Sequence, residues 1–542
     1  MITIYKLFEE DALDQNNNKK GYENWVYQKW EEETIEFEDS FRILDRLRLL
    51  ESKLAQVIKN RKQRLGNFED KVFFGIWTAD DMIIKWEKQK LEKAVGFSGM
   101  IVAYFFKMME LNFTVIERGS EIGGTWYWNS YPGIGCDVPS HLYSFSFYLK
   151  SNWTHFFSYG GEIHKLWEIT KLKDGKTTEE SYNILISCAG GLHRPNWGGF
   201  KGVEKYKGLK VHTTRWPQDL DLTGKRVGII GSGASSIQIL PSIVRQFKIE
   251  KLVHFQRNAA FVLPRNQFAY SNRAKSILAV FPFGILYRWS QYLIREIRFI
   301  FLWRFWKLGV NKWIRGLHAT GIRKHIKDKR VAEAMVPDYV MGCKRILISD
   351  EFYSALNKPC YNLDNSGIVE LSEKGIVTKD AEHELDVIIF ATGFDLSSNF
   401  NFLVEHNPNL EMLKPDAEKK TFWGVFYPKV PNLVGLLGPM TGLGHNSIIF
   451  MIECQLQAII NVIKLLFEER KDCFVVTDKA VDEWNEEWVE RIESSIWARS
   501  NCVSWYQQGD PNNRAWGLWP GSTTEYWWRT RNISKKNFKF FN

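Results

Sequence analysis

Apolar and polar positions follow two different rhythms along this chain. Between Glu23 and Lys93 leucines recur at helical spacing, as in RILDRLRLLESKLAQVI, among many Lys, Glu, Arg and Trp. That period is the signature of solvated helix, so residues 1–93 are expected to form a polar helical extension that carries no chemistry. From Ala94 onward, short apolar runs bounded by glycines take over. A Gly-rich turn leads into an apolar helix and a strand at Asn112–Ile116 ending on Glu117; a further run is Ile184–Ala189. A second unit repeats the pattern, with a strand at Arg226–Ile230, a Gly-rich turn, a helix to about Val244 and a strand at Lys251–Phe255. Gly375–Thr378 and Asp386–Ala391 read as further strands. Strands alternating with helices at this scale predict an α/β fold with parallel, doubly wound sheets.

The insert from about 268 to 336 is aromatic and helical in pattern, and the segment 476–542 is Trp-rich and reads as irregular with a basic tail. Within the insert, Leu278–Val310 is the one stretch apolar enough to suggest a membrane. Arg288, Arg295, Glu296, Arg298 and Arg304 interrupt it, so no run of about 20 apolar residues exists. A buried amphipathic helix pair is the expectation, and membrane contact is not favoured.

Composition narrows the picture. The chain has 542 residues, 44% hydrophobic and 25% charged, which suits a large multi-domain globular protein and excludes a disordered one. Net charge of +9 is mild over this length; no Lys/Arg tract points to nucleic acid. The seven cysteines show no C-x-x-C and no metal-ligand spacing, which argues against a disulfide framework or a metal site and for a reducing compartment. No signal peptide is visible at Met1–Lys20, so a cytoplasmic protein is expected.

The clearest chemical signal is Gly231-Ser232-Gly233-Ala234-Ser235-Ser236, set between the apolar strand RVGII and a helix. The first glycine allows the tight turn, and the second lets backbone approach a pyrophosphate. The small Ser236 lets helix and strand pack, and phosphate oxygens meet free N–H groups at the helix N-terminus. The next strand ends VHFQR, offering Arg257 where an NAD-selective site places a carboxylate. A guanidinium there suits a 2′-phosphate, so NADPH is the expected cofactor. An earlier turn, Ala94-Val95-Gly96-Phe97-Ser98-Gly99, has the same spacing with Ala in the first place, and Glu117 follows where a ribose-binding carboxylate belongs.

Two long gapped motifs identify a resemblance. Gly123-Gly124-Thr125-Trp126-Tyr127-Trp128-Asn129-Ser130-Tyr131-Pro132-Gly133-Ile134-Gly135-Cys136-Asp137 matches the fingerprint of flavoprotein Baeyer–Villiger monooxygenases, and Tyr206–Pro217 resembles their second motif with Tyr in place of Phe. Asp386–Asp395 looks like the A-T-G strand that closes their flavin domain, and Met341–Arg345 resembles their G-C-K-R loop. The resemblance covers roughly Ala94 to the C-terminus, strongest to fungal-type members. It implies two Rossmann-like dinucleotide-binding domains with a helical insertion in the NADP domain: FAD-binding over 94–199 and 371–475, NADP-binding over 200–370.

The resemblance further implies that FAD, NADPH and O₂ convert a ketone to an ester or lactone through a C4a-peroxyflavin, the related alternatives being oxidation of an N or S centre, or an NADP-binding relic without flavin. It places Gly96, Ser98, Gly99, Glu117, Gly124, Thr125, Trp126, Tyr127, Trp128, Asp137 and Tyr143 at FAD. Gly135, Cys136, Asp137, Gly231, Ser232, Gly233, Ala234, Ser235, Ser236, Arg257, Asn258, Lys344 and Arg345 fall at NADP(H), while His212 and Trp216 link the domains. A negatively charged oxidant needs a fixed cation in a dry cavity; Arg345 is that candidate, and Asp137 is the carboxylate that aims its fork.

Two departures bear on the flavin. The apolar run Met82-Ile83-Ile84 is separated from the turn by Lys85–Lys93, so the strand reads as broken, or as a continuous helix from Ile84 to Glu110. Between Gly161 and Tyr182 the segment is shorter than in the family. A truncated sheet leaves unpaired backbone, and weak flavin binding is the expectation.

Overall fold

The computed structural model describes residues 74–77, 96–109, 111, 113–116, 123–164, 183–305, 310–395, 420–499, 505–507, 515 and 517–542. Two parallel sheets organise it. The first has the order β9-β3-β1-β2, built from β1 (Phe74–Trp77), β2 (Phe113–Ile116), β3 (Ile184–Ser187) and β9 (Leu433–Gly435). The second has the order β4-β8-β5-β6-β7, from β4 (Leu209–His212), β5 (Arg226–Ile230), β6 (Lys251–Phe255), β7 (Tyr361–Asp364) and β8 (Val387–Phe390). Helices α1 (Phe97–Met108) and α2 (Ala234–Gln246) follow the two Gly-rich turns. Both helices start from a glycine in extended backbone, Gly96 and Gly233, which leaves the first-turn N–H groups uncapped by any side chain.

Several expectations are corrected. Met82–Ile84, expected as the strand ahead of the first turn, lies outside the described residues, and the described strand before that turn is another. It is Phe74–Trp77, inside the stretch read as helical extension, and it pairs with β2 and β3 in register Phe74↔Phe113 and Phe74↔Ile184. The sheet is therefore not broken at its centre; β3 is paired on both sides, by β1 and β9. Helix α1 begins at Phe97, and residues 84–95 of the alternative long helix lie outside the described residues. The A-T-G strand does not close the first sheet: Val387–Phe390 runs between β4 and β5 of the second, all four of its residues buried. Gly375–Thr378 is a strand, but of a separate antiparallel sheet between Ile368–Leu371 and Glu382–Glu384.

Between β6 and β7 lie helices α3 (Asn272–Ala279), α4 (Phe283–Phe305) and α5 (Val310–His325). The insert is not the buried pair expected. Arg288, Tyr292, Glu296 and Phe299 form the buried stripe of α4, while its opposite face is exposed. The only described helix that could cross a membrane by its own length and composition is α6 (Ile448–Glu468), and it is the core of the first domain, packed on α1 and largely buried. The C-terminal segment is more regular than its composition predicts. It holds α7 (Asp478–Glu493) and α8 (Thr523–Thr530), and the basic tail Phe538–Phe541 is a strand paired with Cys473–Val476. Cys343 is disulfide-bonded, although the cysteine pattern argues against a disulfide framework; Cys136, Cys188, Cys360, Cys454 and Cys473 are in no disulfide. Spacing rules find local pairs, and Cys343 has no cysteine near it in sequence.

Candidate functional site

The first turn is held by close backbone contact. Gly124 has φ +51°, and a Cβ there would lie 2.8 Å from the Cα of Gly96, so the GG pair of the fingerprint packs onto the turn that opens α1. Ser98 is buried in the first turn of that helix. Thr125–Trp128 form a short helix, from which the Trp126 Nε1–H donates to the Tyr143 hydroxyl at 3.3 Å. Tyr143 also stands edge-on to Phe97, at 5.2 Å between ring centres, and burial raises its pKa. Gly96, Ser98, Gly99, Gly124 to Trp128 and Tyr143 therefore gather at one end of the first sheet. Glu117 lies outside the described residues.

The rest of the fingerprint faces the other domain. Tyr131 donates to Gln238 Oε1 on α2 at 2.8 Å, and the Gly135 carbonyl accepts from Gln238 Nε2 at 3.0 Å. Gly133, with φ +83°, lies so close to Ser242 that no side chain fits. This half of the motif is a joint with α2, which accounts for the glycine at 133. Arg215, inside the second motif, sits over the Trp128 ring at 4.5 Å and ties that segment to the same region. His212 is fully buried at the end of β4, its Nδ1 accepting from the Thr214 N–H, and burial pushes its pKa down to about 4.

At the second turn, Gly231 has φ +122° and abuts the Ala391 carbonyl of the A-T-G segment, so a Cβ is excluded. Ser232 donates to the Asn258 carbonyl at 2.7 Å, and open space lies above Gly233, where backbone N–H groups can meet phosphate. Ser235 hydrogen-bonds Tyr131. Ser236 is fully buried 3.4 Å from His254 Nε2 and so packs helix against strand, while exposed Ala234 starts the helix. His254 in turn donates from Nε2 to the Gly231 carbonyl at 2.8 Å, a buttress under the turn that the motif did not reveal. Arg257 and Asn258 are exposed at the end of β6. Lys344 lies within the field of Arg257: burial, and then that positive charge, lowers its pKa. Two cations held together suit an anion with two charges.

The last residue of the fingerprint, Asp137, is ion-paired with Arg345. Arg345 donates from Nε to Asp137 Oδ2 at 2.8 Å and from Nη2 to Oδ1 at 2.7 Å, and from Nη1 to the Leu443 carbonyl at 3.4 Å. The charge of Asp137 raises the Arg345 pKa further, so the guanidinium stays ionised. With 32% of its side chain exposed, it remains accessible to a ligand. The adjoining Cys136 is buried, its thiol pushed up to about 12 by burial and then by Asp137, and it is inert as a nucleophile. Three contributors escaped the motifs. Tyr506 accepts a hydrogen bond from Arg345, and Leu443 offers its carbonyl. Arg295 of α4 feels Asp137, burial drawing its pKa down to about 10 with help from the charge of Arg298.

The matching family model is flavin-binding monooxygenase-like, over residues 157–495, and an NAD(P)-binding Rossmann-like model matches residues 96–159. The chain belongs to the flavin-binding monooxygenase-like family. Among its relatives, a Baeyer–Villiger monooxygenase of Pseudomonas aeruginosa is 33% identical, over 81% of this chain and 88% of that protein. One from Streptomyces coelicolor is 32% identical, over 82% and 91%. The FAD-binding monooxygenase ktnD of Aspergillus niger is 30% identical, over 80% and 78%. The fold matches OTEMO in complex with FAD and NADP, with TM-score 0.70 and 21% identity over 87% of this chain and 100% of that one. It also matches a steroid monooxygenase bound to NADP, with TM-score 0.68 and 24% identity over 87% and 99%. This family member thus carries both dinucleotide turns and a guanidinium fixed by the carboxylate of the fingerprint.

Proposed function

We infer that this chain is an FAD- and NADPH-dependent Baeyer–Villiger monooxygenase that inserts one oxygen atom of O₂ into a ketone. The second oxygen leaves as water, NADPH supplying two electrons, and the product is an ester or lactone. The observation that carries this reading is the two-pronged Arg345–Asp137 pair, whose carboxylate lies two residues beyond the Gly135 carbonyl that meets α2. The residues present fit both cofactors. Gly96 to Gly99, Gly124 to Trp128 and Tyr143 would hold FAD, and Gly231 to Ser236 the NADPH pyrophosphate. Arg257, Asn258 and Lys344 would take its 2′-phosphate, with Gly135 and Cys136 beside the nicotinamide half.

Bound FAD supplies the oxygen-activating redox chemistry; the chain supplies position and field. Arg345 is a cation that needs no reorganisation when negative charge develops on the oxygen being transferred, and Asp137 keeps its fork aimed. No residue is asked to act as a nucleophile. The test is incubation with NADPH, a cyclic ketone and isotopically labelled O₂, followed by mass spectrometry. One labelled oxygen in a lactone supports the reading. Oxygen found only in sulfoxides or N-oxides of offered sulfides or amines, or only in hydrogen peroxide, overturns it.

A further inference from the structure

The outward face of the helical insert carries exposed apolar side chains. Along α4, Leu286, Leu293 and Ile297 recur at intervals of seven and four and are all exposed, Ile297 to 64%. Phe281, in the turn between α3 and α4, is 59% exposed and Trp313 on α5 is 67% exposed. Scattered apolar residues on a surface are ordinary, but several along one helix, with more on the turn before it and the helix after it, are not. The segment is also unusual in charge. Residues 272–327 hold twelve Lys and Arg against one acidic residue, and that one, Glu296, is turned inward and hydrogen-bonded on the opposite face. Arg273, Arg298 and Lys312 are exposed beside the stripe.

We propose that the outer face of α3, α4 and α5 seats this protein on an anionic lipid bilayer, with α4 lying in the plane of the interface. The combination of an apolar stripe, aromatic residues and flanking cations is the one that binds headgroup and acyl-chain boundary together. Helix α4 lies on the bilayer and does not span it. Its inner face commits Arg288 to the Ser144 and His141 carbonyls at 2.7 and 3.2 Å, and Glu296 to donors from two other segments. A second copy of the chain fits this face poorly, because a two-fold contact would set the same cationic segment against itself.

The test uses the full chain with sedimented vesicles of phosphatidylcholine alone or of equal parts phosphatidylcholine and phosphatidylserine. Binding should be at least tenfold tighter to the anionic vesicles and should weaken as salt is added, a readout that needs no variant. Arg298→Ala should cut binding about fivefold. Leu293→Glu with Ile297→Glu should abolish it with no change in thermal unfolding, since both side chains are exposed. Failure of the wild-type chain to bind either vesicle overturns the proposal, as does undiminished binding by the double variant. Concentration-dependent dimerisation that the double variant abolishes would reassign the face to self-association and equally overturn it.

Discussion

Arg345 and Asp137, 208 positions apart in sequence, meet in a parallel fork of 2.7 and 2.8 Å, with the third guanidinium nitrogen turned to the Leu443 carbonyl. A forked pair fixes the plane of the guanidinium as well as its place, which a lysine cannot do. Arg345→Ala should therefore abolish ketone oxygenation while NADPH still reduces the flavin, because the cation matters only once negative charge develops on oxygen. Asp137→Ala should lose about 100-fold or more, the scale of one lost electrostatic contact in a preorganised site. The double variant should be little worse than Arg345→Ala, since residues acting as a unit are not additive. Stopped-flow reduction and product formation, measured separately, check this; strictly multiplicative losses would refute it.

Arg257 and Lys344 are close enough for one charge to depress the other's pKa. That mutual repulsion is relieved by a dianionic phosphate. Arg257→Ala should raise KM for NADPH about tenfold, as befits a lost charged hydrogen bond of roughly 1.5–3 kcal/mol, and leave KM for NADH almost unchanged. Equal losses with the two nucleotides would remove Arg257 from the 2′-phosphate site.

Sequence reading succeeded where the signal is local. RVGII and KLVHF are strands to the residue, short runs rich in Val, Ile and Leu beside turn residues or a polar flank. It failed on Phe74–Trp77, four residues without alternation, separated from the turn they serve by 16 residues. It also failed on partners remote in sequence: Tyr506 at Arg345, His254 under Gly231, Arg215 over Trp128. Misplacing the first strand has a consequence. With β1 paired on both sides, the argument for a poorly held flavin loses its main support. The purified chain should retain FAD near stoichiometrically, read as the ratio of flavin to protein absorbance without added cofactor; a colourless preparation would contradict this.

His212 and His254 are fully buried, and burial pushes the pKa of each from 6.5 down to about 4. Both are neutral in the folded chain and take up a proton on unfolding between those values. Stability is thus fully present above pH 6.5 and falls as pH drops toward 4, by about 1.4 kcal/mol per pH unit for each histidine. Urea unfolding at pH 7, 6 and 5 should show this loss. His254→Gln should lower stability at pH 7 yet make its pH dependence shallower. A slope equal to that of the wild-type chain would mean that His254 is not neutral in the fold.

Glu296 joins three segments that the sequence keeps apart. Its Oε1 accepts from Asn446 Nδ2 at 2.7 Å and from the Thr523 hydroxyl and N–H at 2.7 and 3.3 Å; Oε2 accepts from the Thr524 hydroxyl and N–H at 3.0 and 3.2 Å. The carboxylate therefore sits at the N-terminus of α8, where charge and free N–H groups favour it. It also anchors Asn446, three residues beyond the Leu443 carbonyl that Arg345 uses. Glu296→Ala leaves buried donors without acceptors and should cost about 2–4 kcal/mol of stability, measured by urea unfolding. Glu296→Gln keeps one acceptor oxygen and should cost less. Loosening the Leu443–Asn446 loop should also misplace Arg345, so a larger share of the NADPH consumed should end as hydrogen peroxide and a smaller share as ester. If Glu296→Ala lowers stability but leaves that share unchanged, the clamp holds the fold alone and does not position the guanidinium.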